Sequence, residues 1–115
     1  MRLIILQTAM LIGESGYREW QGNKDARPHP VLKRIYLKKE ITDVTIAPLV
    51  GEALSDGLWK NHPYEVSMKH FDYDKDECSI TLKPTYIPEN SPLEREFEQR
   101  IVENGWEVIG IGEGD

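Results

Sequence analysis

The sequence predicts an α+β fold: one small domain with a mainly antiparallel or mixed sheet of about five strands and two helices. Three observations support this. An apolar segment occupies residues 2–12, two alternating runs surround an acidic turn in 64–82, and a helix-start signal stands at Ser91. With 115 residues, 39% hydrophobic and 30% charged, residues 1–115 have the size and balance of a single domain. The expected order is strand, loop, strand, helix, hairpin, helix, strand.

The first predicted element is a strand over residues 2–12, RLIILQTAMLI. Odd and even positions are both apolar, which favours a central strand covered on two faces; a buried helix is the alternative. Arg2 and the apolar run also resemble the start of a signal peptide, but Gln7 and Thr8 interrupt the run and no cleavage site follows. The run is too short to cross a bilayer, so no membrane partner is expected.

Residues 16–30, GYREWQGNKDARPHP, show no apolar periodicity and are predicted to form a long loop. The following run, VLKRIYLKKEI at residues 31–41, alternates imperfectly. Its β-branched and aromatic residues, separated by lysines, favour a strand near a sheet edge.

A short helix is predicted next, because Pro48 suits the first turn of a helix. Gly57 stands where it would end, and Gly51 weakens it. Its apolar stripe would consist of Leu49, Val50, Ala53, Leu54 and Leu58.

A β-hairpin with its turn near residues 74–77 is the clearest unit in the sequence. The strand positions predicted to share a face are Tyr64, Val66, Met68 and His70 in the first strand, and Cys78, Ile80 and Leu82 in the second.

The second helix is predicted from a capping box, with Ser91 as N-cap, Pro92 at the first position and Glu94 at the third. Asn104 and Gly105 end it. Its apolar stripe consists of Leu93, Phe97, Ile101 and Val102, and residues 106–111 return as the last strand.

Charge is unevenly distributed along the chain. The net charge is −6, yet residues 1–60 carry nine Lys or Arg against seven Asp or Glu, and residues 61–115 carry five against thirteen. Residues 24–39 hold six basic side chains and one acid, Asp25. Such asymmetry bears on partners rather than on fold.

No motif specifies a metal, a cofactor or a reaction. The acidic run at residues 72–77 begins like a calcium loop, but Glu77 and Lys83 stand where that loop needs Gly and Glu. No helical His pair or HxH occurs, and GIGEGD at residues 110–115 has no following helix to hold a pyrophosphate. The single Cys78 cannot form an internal disulfide and is predicted to be a small buried hydrophobic residue. The absence of a disulfide framework favours a reducing, cytoplasmic setting.

The leading hypothesis is therefore a non-enzymatic interaction module that binds a protein partner, or itself, through residues 16–39. The candidate contact residues are Tyr17, Arg18, Trp20, Lys24, Arg27, Lys33, Arg34 and Lys38. Aromatic residues beside arginine are typical of binding hot spots. The structural alternative is that Tyr17 and Trp20 only cap the core, so a buried Trp20 ring would indicate scaffold.

Two other function classes remain open. A nucleic-acid-associated protein would use the basic patch of Lys24, Arg27, Lys33, Arg34, Lys38 and Lys39. A small-molecule enzyme would require folding to bring together His29, His62, His70 and Cys78.

Overall fold

A computed structural model describes residues 1–60 and 62–114. The elements are β1 (Arg2–Ile12), α1 (Glu14–Gly22), β2 (Val31–Ile41), β3 (Ala53–Leu54), β4 (Tyr64–Asp72), β5 (Glu77–Leu82), β6 (Thr85–Pro88), α2 (Pro92–Glu103) and β7 (Glu107–Glu113). The strands form one mixed sheet in the order β3-β4-β5-β1-β2-β7, and β6 pairs with β1 beyond the end of β5. The described residues thus form an α+β fold, with two more strands than predicted.

Strand β1 is the centre of the sheet, as predicted. It pairs antiparallel with β2 from Leu3 to Ile12, and its other edge pairs in parallel with β5 and then β6. Leu3, Ile4 and Ile5 are all buried, so both faces of the strand are covered there. This two-sided burial explains why apolar residues occupy consecutive positions.

The parallel neighbour of β1 is interrupted between β5 and β6, where Lys83 and Pro84 lie. Gln7 faces this break and is only 2% exposed. Its Nε2 donates to the Lys83 carbonyl at 2.9 Å, and its Oε1 accepts from the Trp59 indole N–H at 2.7 Å. Gln7 thus gives the Lys83 carbonyl a donor at the point where the strand ladder is broken, next to a proline that has no N–H of its own.

The hairpin β4–β5 is confirmed, with its turn between residues 72 and 77. Cys78 and Ile80 are fully buried, as predicted for the second strand. The first strand differs, because a bulge between Val66 and Met68 interrupts its alternation. Val66 is buried, whereas Met68 and His70 are exposed, so the predicted common face of β4 is wrong beyond Val66.

The helix predicted from Pro48 does not form. Gly51 adopts φ of +93°, and its N–H donates to the Val66 carbonyl. The Val66 N–H donates in return to the Glu52 carbonyl. The backbone of this segment therefore bonds to β4 and continues into β3 instead of forming i to i−4 hydrogen bonds, and Leu49 is left exposed.

Residues 16–30 are not a structureless loop, because α1 occupies Glu14–Gly22. Only Tyr17 and Trp20 face inward on this short helix, too few positions to produce a visible period. The following chain folds back, and Pro28 lies buried against Gly16, where an added Cβ would be 3.1 Å from the proline Cβ.

Helix α2 begins and ends where its sequence signals predict. The Ser91 hydroxyl accepts from the Glu94 N–H at 3.3 Å, and Gly105 adopts φ of +74° after the last turn. Phe97 and Ile101 are buried, but Val102 is exposed, so the apolar stripe is narrower than predicted. Neither described helix has the length and apolar character to cross a membrane.

Asp56 fastens the irregular segment before β4 to the sheet and to the end of α2. Its carboxylate accepts from Lys39 Nζ at 2.6 Å, from the Trp106 indole N–H at 3.0 Å and from the Leu58 N–H at 2.9 Å. Burial alone would raise the pKa of Asp56, but these three donors outweigh burial and lower it.

Replacing Gln7 by Met should destabilise the protein by about 2 kcal/mol or more, because the Lys83 carbonyl and the Trp59 N–H each lose a buried partner. Urea unfolding measures the change. Thr8→Val on the opposite face of β1 is the control and should shift stability by less than about 0.5 kcal/mol. Equal effects of the two substitutions would contradict the bridging role of Gln7.

Replacing Asp56 by Asn should cost about 1.5–3 kcal/mol at neutral pH, the usual contribution of hydrogen bonds to a charged group. Because folding lowers the pKa of Asp56, its stabilisation is present above the unfolded pKa of about 3.9 and is lost as pH falls through the folded value. The melting temperature, measured from pH 7 to pH 2, should therefore fall less steeply at acid pH in the variant than in the parent protein. An equally steep fall in both would contradict the prediction.

Candidate functional site

Helix α1 places Trp20 inside the protein rather than on its surface. The ring is 4% exposed and packs against Tyr86, with centroids 5.4 Å apart, and against Tyr17 at 5.9 Å. The edge of His62 meets it at 6.3 Å. Trp20 is therefore part of the core. This is the outcome that indicates scaffold at this position, and the prediction of Trp20 as a contact residue is wrong.

An aromatic cluster extends from this point through the segment before β4. His62 packs edge-on against Tyr64 at 4.7 Å, and Tyr64 packs against Trp59 at 4.9 Å. The Tyr64 hydroxyl lies 2.5 Å from Thr85 Oγ1. Burial raises the pKa of Tyr64 to about 12, so this phenol stays protonated at neutral pH.

The aromatic rings form the wall of a cleft of about 390 Å³ between α1, α2 and β6. Its lining includes three cations, which are Lys24, Lys60 and Arg100. None of the described lining residues is an Asp or a Glu. The cleft is thus apolar and cationic, although the whole chain carries a net charge of −6.

Lys24 is the cation most closely associated with the rings. Its ammonium lies 3.6 Å from the centroid of the Trp20 ring, a cation–π contact, and it makes no ion pair with the described residues. Partial burial lowers the pKa of Lys24. Burial, followed by the charge of Lys24, also lowers the pKa of His62, which favours the neutral imidazole.

A second cleft of about 430 Å³ shares Lys24 and Tyr86 with the first. Arg27 and Lys83 line it, together with Asp25 and Met10. Lys83 Nζ is paired with Glu65 at 2.7 Å, so this cleft has a carboxylate close to one of its cations. The first cleft therefore has the more one-sided charge.

The eight predicted contact residues do not form one surface. Tyr17, Trp20 and Lys24 line the first cleft, and Arg27 lines the second. Arg18 lies on the outer side of α1 and pairs with Glu14 at 2.7 Å. The remaining three, Lys33, Arg34 and Lys38, lie on β2 in the sheet.

The predicted basic patch is divided by the geometry of β2. Successive side chains of a strand point to opposite faces, so Lys33 and Lys39 lie on one face and Arg34 and Lys38 on the other. Lys38 pairs with Glu40 at 2.8 Å, and Lys39 pairs with Asp56. Positive charge is therefore not continuous along residues 24–39.

Most of the cleft lining was not predicted from the sequence. The residues not singled out there as contacts are Leu58, Trp59, Lys60, His62, Tyr64, Thr85, Tyr86, Ile87, Pro88, Leu93, Phe97 and Arg100. One local signal was present, because Trp59, His62 and Tyr64 stand within six positions of each other. No local pattern links them to α1 or α2.

The candidate catalytic residues do not converge among the described positions. Only His62 lies in the cleft, whereas His29 is exposed ahead of β2, His70 is exposed in β4 and Cys78 is buried in β5. No group of three His, Cys, Asp or Glu in residues 1–60 and 62–114 is arranged to hold a metal ion.

Compared with known proteins, the chain matches no family model, no curated protein and no solved structure. Support for a function therefore comes from the geometry and chemistry of the chain itself.

Trp20→Ala should destabilise the protein by about 3–5 kcal/mol, because it removes a buried ring that joins α1 to β6. Denaturant unfolding measures the loss. Tyr73→Ala, which removes a highly exposed ring in the hairpin turn, is the control and should change stability by less than about 0.5 kcal/mol. A loss below about 1 kcal/mol for Trp20→Ala, closer to that of an ordinary surface change, would contradict the core role.

Proposed function

We propose that this protein is a binding module that docks a partner protein in the cleft lined by Tyr17, Lys24, His62 and Arg100. The preferred ligand is a segment of the partner that carries an apolar or aromatic side chain next to Asp or Glu. The observation that supports this is the combination of aromatic walls, three cations and no carboxylate among the described lining residues.

The shape of the cleft suits one or two inserted side chains. Its volume of about 390 Å³ lies in the ordinary range for ligand sites, which are mostly apolar with a few placed polar groups. Aromatic residues and arginine dominate binding energy at protein interfaces because they offer large apolar area and directed hydrogen bonds. Tyr17 and Arg100 are such residues, and both are partly exposed.

The charge of the cleft selects an acidic ligand. Arg100 Nη1 and Lys60 Nζ lie 3.7 and 3.8 Å from Glu96, which partly compensates both cations. Lys24 lacks such a partner among the described residues, and its exposed side chain holds the ammonium beside the Trp20 ring, where an anion can reach it. A carboxylate placed beside Lys24 would gain an ion pair without breaking an existing one.

Protein binding is favoured over nucleic-acid binding because the basic side chains are dispersed. Nucleic-acid affinity depends on several phosphates being neutralised together along a continuous surface. Here, Lys38 and Lys39 point to opposite faces of β2, and each is already paired with a carboxylate.

A displayed library of random peptides, selected on the immobilised protein, tests the proposal. We expect the selected peptides to combine Asp or Glu with an aromatic or leucine residue. For a synthetic peptide of the selected sequence, Lys24→Glu should weaken binding at least about tenfold, which corresponds to about 1.4 kcal/mol. Fluorescence anisotropy measures the dissociation constant.

Lys75→Glu is the matched control, because it makes the same change of charge in the exposed turn of the hairpin. It should alter binding less than about twofold if long-range charge contributes little at physiological salt. Equal weakening by the two variants, or selected peptides without acidic residues, would contradict the proposal. Binding of a labelled single-stranded oligonucleotide with a steep salt dependence would favour the nucleic-acid alternative.

A further inference from the structure

The two ends of the sheet are very different. One end is β3, which has only two residues. The other is β7, Glu107–Glu113, which pairs with β2 on one side and has no strand on its other side among the described residues. Short strands, charged side chains, prolines and bulges usually protect a sheet edge from pairing with other chains. The sequence of β7, EVIGIGE, contains no lysine or proline, and its protection is limited to a bulge and a glutamate at each end.

Strand β7 also exposes apolar side chains. Val108, Ile109 and Ile111 are all exposed, and Ile111 reaches 65%. An exposed apolar edge strand is a template for pairing, because its free N–H and C=O groups and its side chains can both be covered by one added strand.

Internal packing explains the glycines of β7 but not its isoleucines. The Tyr36 ring of β2 lies across Gly110 and Gly112, where an added Cβ would be 3.3 and 3.0 Å from ring or hydroxyl atoms. Tyr36 therefore covers one face of the strand. Ile111 stands opposite Ile35 in the register with β2 and yet remains largely exposed.

We propose that the free edge of β7 is a docking site for a β-strand of a partner protein, with an apolar centre and a Lys or Arg towards each end. Glu107 and Glu113 flank the apolar part of β7. On its inner side, β2 already places Lys38 opposite Glu107 and Lys33 opposite Glu113. Opposite charges on directly facing positions stabilise strand pairs, so the outer partner should carry the same pattern.

A second copy of this chain fits the edge less well. An antiparallel pair of β7 strands would bring Glu107 and Glu113 of both copies to one seam, with no basic side chain from either strand. Each copy also carries a net charge of −6, so the two copies repel each other. A basic strand of another protein removes both penalties.

The bulge in β7 limits which strands can dock. Tyr36 pairs with Gly110 and Leu37 with Val108, so Ile109 is the additional residue on the edge strand. A bulge increases the local twist, and a docked strand must follow this twist. Strand β2 pairs with the inner edge of β7 across this bulge, and its sequence is therefore the probe chosen for the outer edge.

The test uses a labelled synthetic peptide with the sequence of residues 31–41, VLKRIYLKKEI, added to the full chain. We expect saturable anisotropy and slower amide exchange confined to β7. Ile111→Lys should weaken binding at least about tenfold by placing a cation at the edge. Met68→Lys in β4 is the matched control, because Met68 is 64% exposed and gains the same charge. It should leave binding within about twofold.

A peptide in which the positions of Lys33 and Lys38 carry Glu should bind more weakly than the parent peptide, since it would oppose Glu113 and Glu107. No protection of β7 amides at millimolar peptide, or equal effects of Ile111→Lys and Met68→Lys, would overturn the proposal. Altered exchange in β1 would show replacement of β2 instead of addition and would also overturn it.

Sedimentation of the protein alone provides a further check. A dimer that Ile111→Lys abolishes would make a second copy the occupant and overturn the proposed partner. No residue of β7 lines the cleft, so Lys24→Glu should leave binding of the β2 peptide unchanged. Failure at β7 is thus distinguishable from failure of the proposed function.

Discussion

The hydrogen bonds of Gln7 hold together the part of the fold on which the rest depends. Strand β1 must pair with two successive parallel strands, and the chain between them contains a proline that cannot donate to the ladder. The Gln7 amide satisfies the Lys83 carbonyl at this break and also accepts from Trp59. By donating one hydrogen bond and accepting another, the buried Gln7 side chain joins the sheet to the segment before β4.

The cleft follows from this connection. Trp59, fixed by Gln7, packs against Tyr64, and Tyr64 packs against His62 and bonds to Thr85 of β6. Asp56 fixes the same segment from its other side through Lys39 and Trp106. Trp59 and His62 therefore lie between two residues, Asp56 and Tyr64, that are each hydrogen-bonded to other parts of the fold. If the proposed docking occurs, such contacts would lower the cost of ordering these side chains.

Charge is organised by secondary structure rather than by position in the sequence. The basic side chains of residues 31–41 are divided between two sheet faces, where Lys38 and Lys39 have carboxylate partners. Lys24 instead lies beside a tryptophan ring. At the far end of the sheet, β7 carries acid at both ends. The two proposed surfaces therefore differ in sign: the cleft suits an acidic segment, and the edge strand suits a basic one.

The sequence by itself determined the elements whose signals are local: β1 from its two-sided apolar run, the hairpin from alternation around an acidic turn, and α2 from its end signals. Tertiary structure decided the rest. Gly51 bonds to the distant Val66 instead of continuing a helix. Tyr17, Trp20 and Lys24 were predicted as contacts and do meet, but side chains from β6 and α2 complete their cleft and bury the tryptophan. Which distant side chains reach a ring depends on the strand order, which periodicity within one segment does not encode.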